Sequence, residues 1–482
     1  MQNKVAQVTT GLFWTYAERI TAQLITLVVT IILARIIAPD EYGIISIVII
    51  CINIANSFVV NGFGNSLIQK KEADELDFST VFYFSIGFSF ILYAVLFFCA
   101  PLIADFYSMP QLSPVIRVMM IRLPIAAINS VQQAFISRRM EFRKFFFATL
   151  GGTIVSAFVG IIMAYNGFGV WSVVAQYLTN VSIDTIVLSF TSGWHPKLMY
   201  SSERMKSLFA FGWKIMAVGV MTTVYANLRN LIIGKKYSSA DLAYCEKGEQ
   251  FPSAIAGNIN SSISKVLFPV LSAAQDDISE LRGMVRRSIK IGSYVLFPLM
   301  FGFATIADSF VMTFLTAKWA GCITFLRIMC VIYALQPLQT SALQSIKAIG
   351  KSGLYLWIDI IKKIIGLIIL FISLFAFNDV LYVVLGALLI EILSVLILMP
   401  FNKRLLSYDF KKQISDIRPS IFLTSVMCLI LLILKKIVHV NDLIQLLIDI
   451  PAGMMIYIGL SIITKNENFA YILRNIKGRF AK

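Results

Sequence analysis

Residues 211–234 read FGWKIMAVGVMTTVYANLRNLIIG. The stretch is long and apolar enough to cross a bilayer, which takes about 20 residues. It also carries Lys214 near one end and Arg229 near the other, with Asn227 and Asn230 beside the arginine. A charge at the centre of a membrane helix costs roughly 2.5 to 3.5 kcal/mol on insertion scales. Two readings stand open for the pair: side chains that snorkel to the headgroups at the span ends, or one wall of a polar path. On a helix the two cations lie about 60° apart in azimuth and about 22 Å apart along the axis, on one broad face.

Apolar runs of this kind recur along all 482 residues, of which 58% are hydrophobic and 14% charged. Mean hydropathy is +0.79. Soluble proteins carry about 25% charged residues, so the class is an all-α polytopic membrane protein. About 14 transmembrane helices are expected: 12–38, 42–68, 79–103, 115–137, 145–165, 168–190, 209–233, 241–271, 284–306, 321–346, 353–377, 379–401, 419–438 and 443–464. The first run is too long for the apolar core of a signal peptide and is expected to remain as a span. The six cysteines are scattered and share no ligand spacing with His195 and His439, so they read as small buried hydrophobes and no metal site is expected.

Connections alternate sharply in charge. One set holds Lys70 and Lys71; Arg138, Arg139, Arg143 and Lys144; Lys197, Arg204 and Lys206; Arg282, Arg286, Arg287 and Lys290; Lys403, Arg404, Lys411 and Lys412. The other set is nearly free of cations. The positive-inside rule then places both termini in the cytoplasm. The net charge of +16 is mainly this topogenic signal, which also meets anionic lipid headgroups, and no nucleic-acid partner is expected. Two basic segments read as interfacial amphipathic helices: 194–208 with its continuation SSERMKSLFAFGW, and ENFAYILRNIKGRF, which aligns Phe469, Ile472, Leu473, Ile476 and Phe480 on one face.

Spans 1–6 and 7–12 read as two copies. LFWTYAERI opens the first and FGWKIMAVG the seventh, with Trp14 and Trp213 at the same place. LIADFY closes span 3 and TIADSFV span 9. VIRVMMI opens span 4 and FLRIMCV span 10, matching Arg117 to Arg327 and, without a gap, Asn129 to Gln339. Such a parallel repeat predicts two six-helix lobes related by a pseudo-two-fold axis along the membrane normal. The expected division is 1–193 for the first lobe, 194–208 for a linker, 209–401 for the second lobe, and 402–482 for two added helices and a basic tail.

Polar residues in the spans form stripes that cannot face lipid, because an unsatisfied polar group there costs several kcal/mol. Span 8 is the clearest, with Glu246, Glu249, Gln250, Ser253, Gly257, Asn260, Ser261 and Ser264 recurring on one face at steps of three or four. Asn53, Asn129, Gln133, Asn180, Gln336 and Gln339 continue the pattern elsewhere. For any one stripe, interhelical hydrogen bonding explains as much as a cavity does; stripes in both halves favour a shared hydrated path. Its cations are Arg19, Arg122, Lys214, Arg229, Lys247 and Lys265. Its acids are Glu18, Asp184, Glu246 and Glu249, which either bind a coupling Na+ or H+ or only orient the cations. No other cofactor is expected. Asp359 with Lys362 and Lys363 reads as an ordinary helix-surface ion pair. The cationic excess suits an anionic substrate, since the guanidinium fork gives phosphate two parallel hydrogen bonds.

The chain resembles the multidrug/oligosaccharidyl-lipid/polysaccharide exporter superfamily, and within it the polysaccharide-repeat flippases. The segments that carry the resemblance are ARIIAPDEYGIISI (34–47), GFGNSLIQKK (62–71), SRRMEFRKF (137–145), NGFGVWSVVAQ (166–176) and VLFPVLSAAQDD (266–277). The resemblance implies a transporter of the bacterial cell membrane, not an enzyme, that flips an undecaprenyl-pyrophosphate-linked oligosaccharide for O-antigen or capsule assembly. It implies basic residues on spans 1, 7 and 8 as pyrophosphate ligands, where Arg19, Arg229 and Lys247 fall. It also makes a polysaccharide polymerase or other assembly proteins candidate partners. Two rival functions are a multidrug or cation efflux antiporter, which wants an acidic or aromatic cavity, and an integral enzyme of polysaccharide assembly, for which no catalytic constellation is found.

Overall fold

The computed structural model describes residues 2–60, 63–70 and 72–480, so Asn61 and Lys71 lie outside the described residues. Among them the secondary structure is helical, and the chain divides into two compact units, Met1–Ala243 and Tyr244–Lys482. Twelve of the helical segments are long and apolar enough to span a membrane. Two further long helices, α10 and α15 below, fall short only because charged and polar residues interrupt their apolar runs. A count of 14 requires both of them.

The first unit contains α1 (Gln2–Ile36), α2 (Pro39–Val60), the short α3 (Phe63–Gln69), α4 (Glu75–Tyr107), α5 (Leu112–Met119), α6 (Arg122–Arg139), α7 (Arg143–Tyr165), α8 (Val170–Thr191) and α9 (Ser202–Lys236). Together α5 and α6 make one broken span. α7 packs along both α1 and α8, and α9 packs on α2, α3 and α4. α9 therefore sits in the first compact unit, whereas the repeat assigns it to the second lobe; the six-plus-six division is a different partition of the chain. The segment 202–211 is also not a separate interfacial helix. Ser201 caps Arg204 N–H at 3.3 Å, no proline follows, and one continuous helix of 35 residues runs to Lys236. Its first turns are held by Met205 and Leu208, which pack with Trp194 and Phe78.

A charged knot fixes the start of α4. Asp74 and Asp77 form a reciprocal capping box. Lys70, arriving from α3, donates to both Asp77 carboxylate oxygens at 2.6 Å. Arg204 approaches the same carboxylate at 3.5 Å. Arg138 of α6 donates to the carbonyls of Leu67 and Ile68, at 2.7 and 3.3 Å, and of Lys70. These acceptors are end-of-helix carbonyls that α3 itself leaves unpaired. Lys70 and Arg138, counted above as topogenic charges, thus also hold the fold.

The second unit begins inside α10 (Ser239–Ala273) and continues through α11 (Ile278–Thr305), the one-turn α12 (Ala307–Phe310), α13 (Cys322–Ala334), α14 (Gln336–Ala348), α15 (Ser352–Ala376), α16 (Val380–Leu406), α17 (Phe410–Ile437), α18 (Asp442–Ile463) and α19 (Glu467–Phe480). α13 and α14 repeat the broken-span design of α5 and α6, with Pro337 starting the second half. α17 is tied down by Asp416, which accepts two hydrogen bonds from Arg286 at 2.7 and 2.9 Å and one from Tyr408 Oη at 2.7 Å. α19 does more than rest on headgroups: Phe469 and Ile472 pack against Tyr294, Leu423 and Tyr457. The side chains of Ile476 and Phe480 lie outside the described residues.

Asp77 is fully buried while Lys70 is about a quarter exposed, with relative accessibilities of 0% and 26%. Asp77→Ala is expected to cost about 3 kcal/mol, the low end for breaking a buried ion pair, because Lys70 regains some solvent. Thermal unfolding in detergent measures this, and the Lys70→Met/Asp77→Leu double variant is expected to recover part of the loss.

Candidate functional site

In the first unit polar side chains of the spans form two hydrogen-bonded groups. Gln133 Nε2 donates to Asn129 Oδ1 at 2.6 Å. Asn129 Nδ2 donates to Asp184 Oδ2 at 3.0 Å and to Thr185 Oγ1 at 3.1 Å. Thr149 Oγ1 donates to Glu18 Oε1 at 3.1 Å. α7 and α8 come together here because Gly152 has no side chain. A Cβ there would stand 2.9 Å from the Asn180 carbonyl and 3.4 Å from Asp184 N. Both acids are thus met by neutral donors, which a low-dielectric interior requires.

Arg122 lies ten residues into the broken span that starts at Leu112. Its guanidinium stands over the Tyr177 ring, 5.5 Å from the centroid. Its Nε is buried and meets no acceptor among the described residues. A cation held by an aromatic face, with a donor unused, is charge available for an anion. Arg229 is half-buried, and its Nε donates to Asn230 Oδ1 at 3.4 Å. Arg19, Lys214 and Asn53 are exposed. Ser57 of α2 and Thr223 of α9 share a hydroxyl–hydroxyl bond of 2.8 Å on the helix that bears Arg229.

The second unit treats its polar residues in parallel fashion. Gln339 Nε2 donates to Glu391 Oε1 at 2.5 Å, as Asn129 does to Asp184. The acid lies 52 residues beyond the carboxamide in one unit and 55 in the other. Arg117 Nε donates to the Phe97 carbonyl at 3.2 Å, and Arg327 Nε to the Ala304 carbonyl at 3.4 Å, each reaching back to the preceding span. Residues matched by the sequence repeat therefore make matched contacts inside each unit. The second unit adds a cation: Lys362 Nζ donates to Gln339 Oε1 at 2.5 Å. Only Lys363 pairs with Asp359, at 2.8 Å. Lys362 turns inward, so the expected surface pair is corrected for that residue.

The span-8 stripe divides. Asn260 Nδ2 donates to Gln336 Oε1 at 2.7 Å, joining α10 to α14. Tyr333 Oη donates to Glu249 Oε1 at 2.9 Å. Lys247 is buried, donates to Gln250 Oε1 at 3.1 Å, and lies 5.8 Å from the Trp319 ring centroid. Glu246 attracts it electrostatically. Lys247 thus belongs to the packed interior of its unit, whereas Lys265, further along α10, is exposed. Sequence reasoning missed Lys362 and Glu391 as partners of Gln339. Extending the repeat past Gln339 to the sixth span of each half brings Glu391 within three residues of the position matching Asp184.

A sequence profile described as polysaccharide biosynthesis protein matches residues 32–324. The chain is 22% identical over 303 residues to the lipopolysaccharide biosynthesis protein WzxC of Escherichia coli K12, a match that takes in 62% of each chain. It therefore spans less than two thirds of that relative's length. Among solved structures, the lipid II flippase MurJ superposes with a TM-score of 0.75 at 15% identity, covering 94% of this chain and 99% of its own. A multidrug resistance MATE family transporter of the MOP superfamily gives 0.64 at 14% identity, covering 80% and 94%.

Carboxamide–carboxylate bonds in membrane bundles contribute ~0.6 kcal/mol on average and up to ~1.7 kcal/mol. A double-mutant cycle on Asn129→Leu and Asp184→Leu, read by reversible unfolding in mixed micelles, is expected to give a coupling of about 1 kcal/mol. The Gln339→Leu/Glu391→Leu cycle is expected to match it, and a coupling near zero in both contradicts the shared design. The profile covers more than half of the chain, and the chain therefore belongs to the polysaccharide biosynthesis protein family.

Proposed function

We propose that this protein is a flippase that carries a polyprenyl-pyrophosphate-linked oligosaccharide from the cytoplasmic to the outer leaflet of the bacterial cell membrane, both of its termini lying in the cytoplasm. The observation that carries this reading is Arg122: a cation deep in a span, seated on Tyr177, with a buried donor lacking an acceptor among the described residues. An ionisable group at that depth is costly unless it serves a substrate or ion. The relatives support the same class, since WzxC is named for lipopolysaccharide biosynthesis and MurJ for flipping lipid II.

In this reading the pyrophosphate is drawn to the cations while the polyprenyl tail stays in the bilayer. Arg122, Arg229, Arg19, Lys214 and Lys265 are the proposed contacts. Lys247 supports Trp319 and Gln250 from inside its unit and acts on the substrate only through them. Alternating access between two six-helix halves moves the head across. Glu18 and Asp184 are proposed to hold the coupling H+ or Na+. Each accepts from a neutral donor, Thr149 or Asn129, so binding a cation breaks no ion pair. These acids would equally suit a cation-efflux antiporter; Arg122 decides for an anionic substrate.

Arg122→Ala, expressed in a strain lacking the protein and shown to insert normally, is expected to lower surface polysaccharide about tenfold or more, the equivalent of roughly 1.4 kcal/mol or more in transport. Lectin or antibody labelling of whole cells measures it, together with accumulation of the lipid-linked glycan inside. Full surface polysaccharide in Arg122→Ala and Arg229→Ala contradicts the proposal.

A further inference from the structure

A second cationic feature lies outside the span interiors, where α11 meets α19. α11 places Gly283, Arg287 and Lys290 at i, i+4 and i+7, on one helical face. α19 places Glu467, Tyr471 and Arg474 at the same spacing. They line an open cavity of about 420 Å³. Arg287 stacks on Tyr471, 4.5 Å from the ring centroid. A stacked guanidinium keeps its donors in its own plane, ready for an oxyanion. Lys290 is held loosely, 3.4 Å from Asp416 and 3.7 Å from Glu467, whereas Arg286 bonds that aspartate at 2.7 Å. The site of a Cβ on Gly283 has no atom within 4 Å, so the absent side chain leaves the floor open.

A neighbouring cavity of about 390 Å³ shares Lys290 and Glu467 and adds Pro419 and Phe422. Phe422 is 60% exposed. The cationic space thus continues into one with an apolar wall. This arrangement of charge beside an apolar wall, at the base of an amphipathic helix, matches an amphiphile with an anionic head.

We propose that the α11–α19 cavity binds the phosphodiester of an anionic membrane phospholipid, with the phosphate on Arg287, Lys290 and Arg474 and an acyl chain along Phe422. Free phosphate offers the same anion but nothing for the apolar wall. The occupancy clamps α19 to α11 and makes the seating of this helix depend on the lipid composition of its leaflet.

The test is native mass spectrometry of the purified full chain, released from micelles containing equal phosphatidylglycerol and phosphatidylcholine. Retention of phosphatidylglycerol is expected to exceed that of phosphatidylcholine by roughly fivefold or more, the effect of at least one cation near an anionic headgroup. Arg287→Gln/Arg474→Gln removes two charges, and Gly283→Leu fills the cavity while keeping every charge. Both variants are expected to lose the preference yet melt like the parent in lipid-free detergent. Equal retention of the two lipids by the parent overturns the proposal, as does a preference unchanged in both variants or lost only in variants that melt early without lipid. Inorganic phosphate that raises the melting midpoint as far as phosphatidylglycerol does overturns the lipid assignment.

Discussion

A carboxylate placed among membrane helices must be given a donor, because neither water nor lipid supplies one in the bilayer core. The rest of this structure follows from how that requirement is met. Asp184 takes Asn129, and Glu391 takes Gln339. Glu18 takes Thr149, and Glu249 takes Tyr333. Each of these bonds joins two different helices, so satisfying the acid also fixes a helix pair. In the first unit Asp184 and Glu18 accept from neutral donors, which suits groups that exchange a proton or a small cation. The second unit then departs from the first by adding Lys362 to the pair, which brings a basic side chain into its polar centre. The proposed ion coupling is assigned to the first unit on this difference.

Basic residues in and near the span ends also hold the fold. Arg138 gathers the terminal carbonyls of α3, Lys70 closes on Asp77, and Arg286 with Lys290 holds Asp416. Each is part of the alternating charge pattern on which the proposed orientation rests. Each is also partly buried and paired, where breaking the pair costs far more than at an open surface. Inside the spans Arg122 is treated differently: among the described residues it has an aromatic ring and no ion pair with an acid, so its charge stays available. That contrast supports the proposed anionic substrate.

The helical class and the approximate positions of the twelve candidate spans were legible in the sequence, because hydropathy carries them directly. Matching Asn129 to Gln339 located the centre of each polar cluster. The partners were less legible. Lys362 sits three residues from Asp359, a spacing that also suits a surface pair, and only packing of α15 on α14 turns it inward. Lys247 lies on the polar stripe of α10, yet the neighbouring Gly248 lets α13 approach so closely that the lysine is enclosed. Helix ends were hidden for similar reasons. Residues 202–211 belong to α9 because its cap and its packing favour continuity.

The central claim is that cations inside the spans carry an anionic lipid-linked head across the membrane. Purified protein in proteoliposomes can be given two short-chain lipid-linked oligosaccharides with the same glycan, one joined through pyrophosphate and one through an uncharged ether, and leaflet exchange followed by accessibility of the glycan to an external lectin. The account predicts that the protein accelerates exchange of the pyrophosphate-linked lipid and leaves the uncharged one near the protein-free rate. Equal acceleration of both would contradict it.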